Sequence, residues 1–241
     1  MKTIGLIGGM SFESTAVYYN LLNGMARNAH GGLASAELIL HSVNFADIVA
    51  LQQAGRWDEA GSRLATIARN LEQAGADCVL ICTNTMHKVA DAVRDAISVP
   101  LIDIIDETAL RLKAAGARRP LLIATRYTME DGFYHGQMAR HDIEVMVAPK
   151  SARDRIHAII FDELCRGTVR DESREEMFAF IEQAKADGAD SIILGCTEIC
   201  LLLDPTALSL PGFDSTRIHC EAAAEFSSRK VMDFDRAKTY A

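Results

Sequence analysis

Short apolar runs rich in Ile, Leu and Val recur along the chain, each ending in small polar residues and followed by a stretch whose apolar side chains keep helical spacing. The first pattern fits a strand buried on both faces of a parallel sheet, the second an amphipathic helix laid over that sheet. Runs at 2–7, 37–43, 78–81 and 101–105 predict strands. Between them fall a helix through Tyr18, Tyr19, Leu22 and Met25, a polar loop, a helix over 57–74 on Leu64, Ile67, Ala68 and Leu71, and a helix over about 86–97. Ser11 or Ser14 is placed to cap the first helix. Val99-Pro100 breaks the pattern, because proline holds the residue before it in extended geometry. The alternation then restarts, with strands at 121–124, 144–147 and 191–194. Its helices run through Leu110 and Leu112, through Phe133 and Met138, around 156–164 and over 173–186. A run at 208–213 and a helix at 218–226 close the chain. This alternation means α/β architecture, parallel sheet with helices outside it, in two lobes. The lobes are expected at 1–98 plus 207–226 and at 99–206, with 227–241 a loose polar tail.

An internal repeat sharpens the picture. GADCVLICTNT, from Gly75 to Thr85, resembles GADSIILGCTEIC, from Gly188 to Cys200, at an offset of 113 residues that sets Thr83 on Cys196. Each copy is a polar turn, a buried strand and a cluster of small polar side chains, and α/β folds place their chemistry on loops at the carboxyl ends of such strands. One loop presents a thiol and the other a hydroxyl, so a cleft between the two lobes, with one reactive group on each wall, is expected.

Composition removes several alternatives. The 241 residues are 49% hydrophobic and 24% charged, with a net charge of −8 and no basic stripe, which argues against a nucleic-acid partner. No apolar stretch approaches the roughly 20 residues of a membrane helix, so a cytoplasmic protein without a membrane partner is expected. The six cysteines lack both disulfide-framework and metal-ligand spacing, so reduced thiols and no metal site are expected. Gly8-Gly9 suits a tight strand-to-helix turn with free N–H groups facing an anion, but the G-x-G-x-x-G spacing of a dinucleotide site is absent.

Cys196 lies where a strand ends and Thr197-Glu198 begin a loop or helix, so backbone dipoles could favour its thiolate as nucleophile or base. Cys78, Cys165, Cys200 and Cys220 read as core residues. Cys82, one place before Thr83, should point away from the cleft if Thr83 points in, since side chains alternate along an extended chain.

Gly8-Gly9-Met10-Ser11, Thr83-Asn84-Thr85-Met86-His87, the turn at 125–128 and Leu194-Gly195-Cys196-Thr197-Glu198-Ile199 resemble, in order, the motifs of the aspartate/glutamate racemase family, in its aspartate-racemase branch. The resemblance implies two four-stranded parallel lobes about a pseudo-two-fold axis, with the active site between them. It also implies a homodimer, an amino-acid substrate such as aspartate, glutamate or a relative, and no pyridoxal phosphate or other cofactor. It places Thr83 and Cys196 as the catalytic pair. Asn84, Thr85, Thr197 and Glu198 would be substrate contacts, with Met10, Thr125 and Thr128 lining the same pocket. Three departures stand out: Thr83 replaces the family's first catalytic Cys, Ile48 stands near the place of an Arg with Gln52 the nearest polar candidate, and Cys165 takes the place of a Lys. The last two bear on a second carboxylate of the substrate, not on the reaction type. Alternatives are an isomerase or decarboxylase of a dicarboxylate, a non-catalytic amino-acid-binding module, and a redox-sensing thiol.

Overall fold

Strand β1, Ile4–Gly8, is buried along its whole length, and its side chains divide between two cores. Ile4 and Leu6 pack with Tyr18 and Leu22 of α1 (Phe12–His30), while Ile7 packs against the other layer. The computed structural model describes residues 1–228. After α1 come β2 (Leu38–Ser42), α2 (Phe45–Gln53), α3 (Trp57–Gln73), β3 (Cys78–Ile81), a 3₁₀ turn at Thr85–Val89, α4 (Ala90–Arg94) and β4 (Leu101–Ile102). These four strands form one parallel sheet in the order β2-β1-β3-β4. The helix α3 covers one face with Leu64, Ile67, Ala68 and Leu71, all of them predicted from their spacing. Burying each of the larger ones contributes about 1.5–3 kcal/mol before the entropy of ordering is counted.

The second half runs α5 (Ile104–Ala114), β5 (Pro120–Ile123), α6 (Arg126–Glu130), α7 (Phe133–Ala139), α8 (Lys150–Ala158), a π-helical turn at Ile159–Glu163, α9 (Asp171–Ala186), β6 (Ser191–Leu194), α10 (Ile199–Leu202), β7 (Gly212–Asp214) and α11 (Ser215–Ser228). Its parallel sheet has the order β5-β6-β7. The strand expected at 144–147 is reduced to a single bridge between Leu121 and Met146 on the sheet edge, because the chain turns off to α8, which Pro149 precedes. The second sheet is therefore three-stranded, not four-stranded.

The internal repeat is structural. Strands β3 and β6 lie 113 residues apart at both ends, and each pairs in parallel with the first strand of its own half. Gly75 and Gly188 both take positive φ, +101° and +95°, as the repeated turn requires. The carboxylates that follow do the same work. Asp77 accepts from the N–H of Thr3 at 2.6 Å, and Asp190 accepts from the N–H groups of Arg118 and Arg119 at 2.7 and 2.9 Å.

The lobe boundaries differ from the expected ones. Leu101 and Ile102 pair with Val79 and Leu80 and so complete the first sheet. The strand expected at 101–105 stops there because Asp103 caps α5, accepting from the N–H groups of Ile105 and Asp106. The return to the first half comes with α11, not near residue 207, since β7 pairs with β6. Ser227, expected in the loose tail, belongs to α11; it is buried and its hydroxyl donates to the Lys2 carbonyl at 2.6 Å. Residues 229–241 of that tail lie outside the described residues. The polar loop before α3 contains a helix, α2, capped by Asn44, and the helix expected over 86–97 divides into the 3₁₀ turn and α4.

Candidate active site

Loops at the carboxyl ends of β1, β3, β5 and β6 meet around one cavity. Met10, Gln52, Thr83, Asn84, Thr85, Thr125, Cys196, Thr197 and Glu198 all line it. Thr128, expected there, lies wholly buried behind the wall instead. It completes a triangle of hydroxyls in which Thr85, Thr125 and Thr128 stand 2.9, 3.1 and 3.2 Å apart, tying the first half's loop to the second's.

Cys196 is governed by a carboxylate. Its Sγ donates to Oε2 of Glu198 at 3.0 Å, and Oε1 of Glu198 accepts from the Ser11 hydroxyl at 2.7 Å. Burial first, and then the Glu198 carboxylate and the nearby Cys165, push the Cys196 thiol well above its ordinary range. The expectation of a thiolate favoured by helix dipoles is overturned: α10 has only four residues, and the neighbouring charge is negative. Ser11 also caps α1, through the N–H of Ser14, while the Ser14 hydroxyl is hydrogen-bonded to that of Thr197. The start of the first helix thus braces the second half's motif across the cleft. By pattern Ser11 and Ser14 read as caps, and the crossing shows what else they hold: Ser11 the Glu198 carboxylate and Ser14 the Thr197 hydroxyl.

Of the N–H groups of the Gly8-Gly9 turn that were expected to face an anion, that of Gly9 is already taken. The N–H of Gly9 donates to the Thr15 hydroxyl at 2.7 Å. A Cβ at Gly9 would stand 2.3 Å from the Val43 carbonyl oxygen, so the glycine serves the close approach of backbone to backbone.

On the other wall, His87 fixes the Thr83 loop. The N–H of Ile104 donates to His87 Nε2 at 3.2 Å, which leaves the proton on Nδ1, and Nδ1 donates to the Thr83 carbonyl at 2.8 Å. Asn84 is held by its amide nitrogen, which donates to Ser215 at 3.0 Å, and Ser215 in turn donates to the Leu194 carbonyl. The Asn84 carbonyl oxygen is left buried without a partner. Such an acceptor costs about 1–3 kcal/mol for as long as no donor reaches it.

Cys82 lies in the core with Tyr18, Leu22 and Cys220, and its thiol is driven up by burial. Alternation along β3 puts it there, with Cys78 and Leu80 on the same face. Ile48 is wholly buried in the first core, and Gln52, one turn on, reaches the cavity, its amide nitrogen 3.2 Å from the Met86 sulfur. Cys165 is not the core residue expected of it: it lines the cavity, and burial followed by Glu198 and Glu13 raises its thiol. Met86 and Tyr127, from the motifs at 83–87 and 125–128, line it too, together with Phe45, Ile160 and Phe161, which no motif in the sequence marked. Among the described residues no group of His, Cys, Asp and Glu is arranged to hold a metal ion, and no helix is long and apolar enough to cross a membrane.

Comparison with known proteins shows the family. A Yersinia pestis protein crystallised as a candidate Asp/Glu racemase is 44% identical, with a TM-score of 0.89 over 95% of this chain and 100% of that one. An aspartate racemase homologue from Pyrococcus horikoshii is 33% identical, with a TM-score of 0.84 over the same shares. A broad-specificity amino-acid racemase of Bacillus subtilis is 22% identical over 88% of this chain and 92% of its own length. The profile of the Asp/Glu/Hydantoin racemase family matches residues 7–223, and the chain belongs to that family.

Proposed function

We propose that the protein is a cofactor-independent amino-acid racemase in which Cys196 removes the α-proton of the L-enantiomer and Thr83 serves the opposite face. The contact that carries this reading is the 3.0 Å hydrogen bond from the Cys196 thiol to Glu198. A thiol with a raised pKa is a poor base until its proton leaves, and Glu198 is the group in position to take it. The thiolate so formed accepts the α-proton, and hydroxyl groups of the cavity lining stabilise the carbanion. Thr85, Thr125 and Thr197 are suited to the substrate carboxylate, and the unpartnered Asn84 carbonyl to its ammonium group.

The two faces are unequal. A Thr hydroxyl has no appreciable anionic population near neutral pH, so Thr83 relays or donates a proton far better than it abstracts one. The α-hydrogen of L-substrates therefore exchanges faster than that of D-substrates. Since the enantiomers are equal in free energy, kcat/KM is the same in both directions and the asymmetry falls on kcat, KM and exchange. The test is α-hydrogen loss in D₂O, followed by NMR over a panel of L- and D-amino acids. Cys196→Ala is expected to reduce exchange at least about 1,000-fold while leaving the thermal transition in place. Cys82→Ala keeps most of the activity; an equal loss in both variants would make Cys82 the second base and sink the pairing with Thr83.

A further inference from the structure

Besides the motif residues with polar side chains, the described lining of the cavity includes Phe45, Met86, Tyr127, Ile160, Phe161 and Cys165, with Gln52 among them. Among the described residues no Lys, Arg or His lines the cavity, and the one carboxylate on its wall is that of Glu198. The described Lys and Arg residues nearest the lining in the chain all have acidic neighbours: Arg166, which follows Cys165, is exposed and stands 3.6 Å from Asp162. Lys88 is paired with Asp131 at 2.6 Å and lies over the Trp57 ring at 4.0 Å. Arg126 lines the adjoining cleft, which shares Gln52, Tyr127 and Phe161 with the cavity, but Asp154 and Asp162 line that cleft as well, and Asp154 is 3.8 Å from the guanidinium. The net charge of −8 gives no attraction to a second anionic group.

A substrate side chain ending in a carboxylate would thus be desolvated beside apolar and aromatic surface, without a counter-charge and in the same cavity as Glu198. Burying a charge unpaired is among the costliest events a binding site can impose. An uncharged side chain meets none of that cost and gains contact with the aromatic and thioether wall. We infer that the substrate is an amino acid with an uncharged, mainly apolar side chain, seated against Phe45, Met86, Ile160, Phe161 and Cys165. This rests on the racemase reading above, and names the substrate class for the same site.

The test uses the unmodified protein and five substrates in D₂O: L-methionine, L-leucine, L-glutamine, L-aspartate and L-glutamate. For methionine and leucine kcat/KM for α-hydrogen loss is expected to exceed that for aspartate and glutamate by about 100-fold, the discrimination expected when a charged group goes unpaired. Equal or faster exchange of the acidic pair overturns the inference and leaves the racemase reading standing. Absence of exchange with all five overturns both. Cys165→Lys supplies the missing charge, and the ratio should move at least about tenfold toward the acidic substrates. A Cys165→Lys protein that keeps exchange with methionine and an unchanged ratio would overturn the charge argument.

Discussion

Glu198 touches the thiol on one side and Ser11 on the other, so a substitution there separates charge from shape. Glu198→Gln keeps a hydrogen-bonding oxygen beside Cys196 but loses the ability to take the proton. Exchange on L-substrates is expected to fall about 100-fold, within the range of a lost general base, with a much smaller change in KM. Unchanged kcat would mean that the thiol loses its proton by another route. Thr83→Cys tests the opposite wall. The His87 bond to the residue 83 carbonyl involves the backbone, so the loop keeps its position in the variant. Exchange from D-substrates should rise toward the L-rate, and equal exchange from both enantiomers in the unmodified protein would remove the asymmetry proposed for Thr83.

At the scale of elements, the apolar wall depends on the π-helical turn that follows α8. A π turn carries one extra residue per turn, and it turns Ile160 and Phe161 to the cavity while burying Glu163. The buried Glu163 carboxylate accepts from Ser173 at 2.6 Å and from Arg155 at 3.1 Å, and Arg155 also bridges to Glu176. Removing one partner of a buried charge is costlier than the pair is stabilising. Arg155→Ala is expected to lower stability by about 3 kcal/mol in urea titrations, with weakened substrate binding because the wall shifts. A change below about 0.5 kcal/mol would show that Ser173 alone satisfies Glu163.

Across the whole molecule, α11 returns from β7 to pack on α1 and α5, and His219 is its buried anchor. Its Nε2 donates to the Ile102 carbonyl and its Nδ1 accepts from Tyr18, both at 2.8 Å. Burial, and then the neighbouring His87, push the His219 pKa down to about 3. In the unfolded chain the imidazole takes up a proton as the pH falls through about 6.5, whereas in the fold it stays neutral to about pH 3. Between those values the unfolded state binds the extra proton, so stability is complete above about pH 7 and declines on acidification. The slope approaches 1.4 kcal/mol per pH unit for this group. The melting temperature measured from pH 7.5 to 5 should fall, and His219→Gln should flatten the fall; identical slopes in the two proteins would assign it to other groups.

Strands β3 and β6 and the loops beyond them were legible because their information is local. Four buried residues, a Gly-Ala-Asp turn before and small polar residues after occur twice in sequence, and alternation along β3 suffices to send Cys82 away from Thr83. Spacing likewise determined the buried face of α3. What tertiary structure decided lies between segments far apart in the chain. Glu198 meets Ser11 across 187 positions and Asn84 meets Ser215 across 131, and no local pattern encodes either. The same holds for the assignment of β4 and β7 to sheets, which depends on the strand beside them and not on their own two or three residues. The character of the Cys196 thiol was misjudged for this reason: the sequence places a helix start beside it, but burial and the packed Glu198 carboxylate outweigh the dipoles of a four-residue helix.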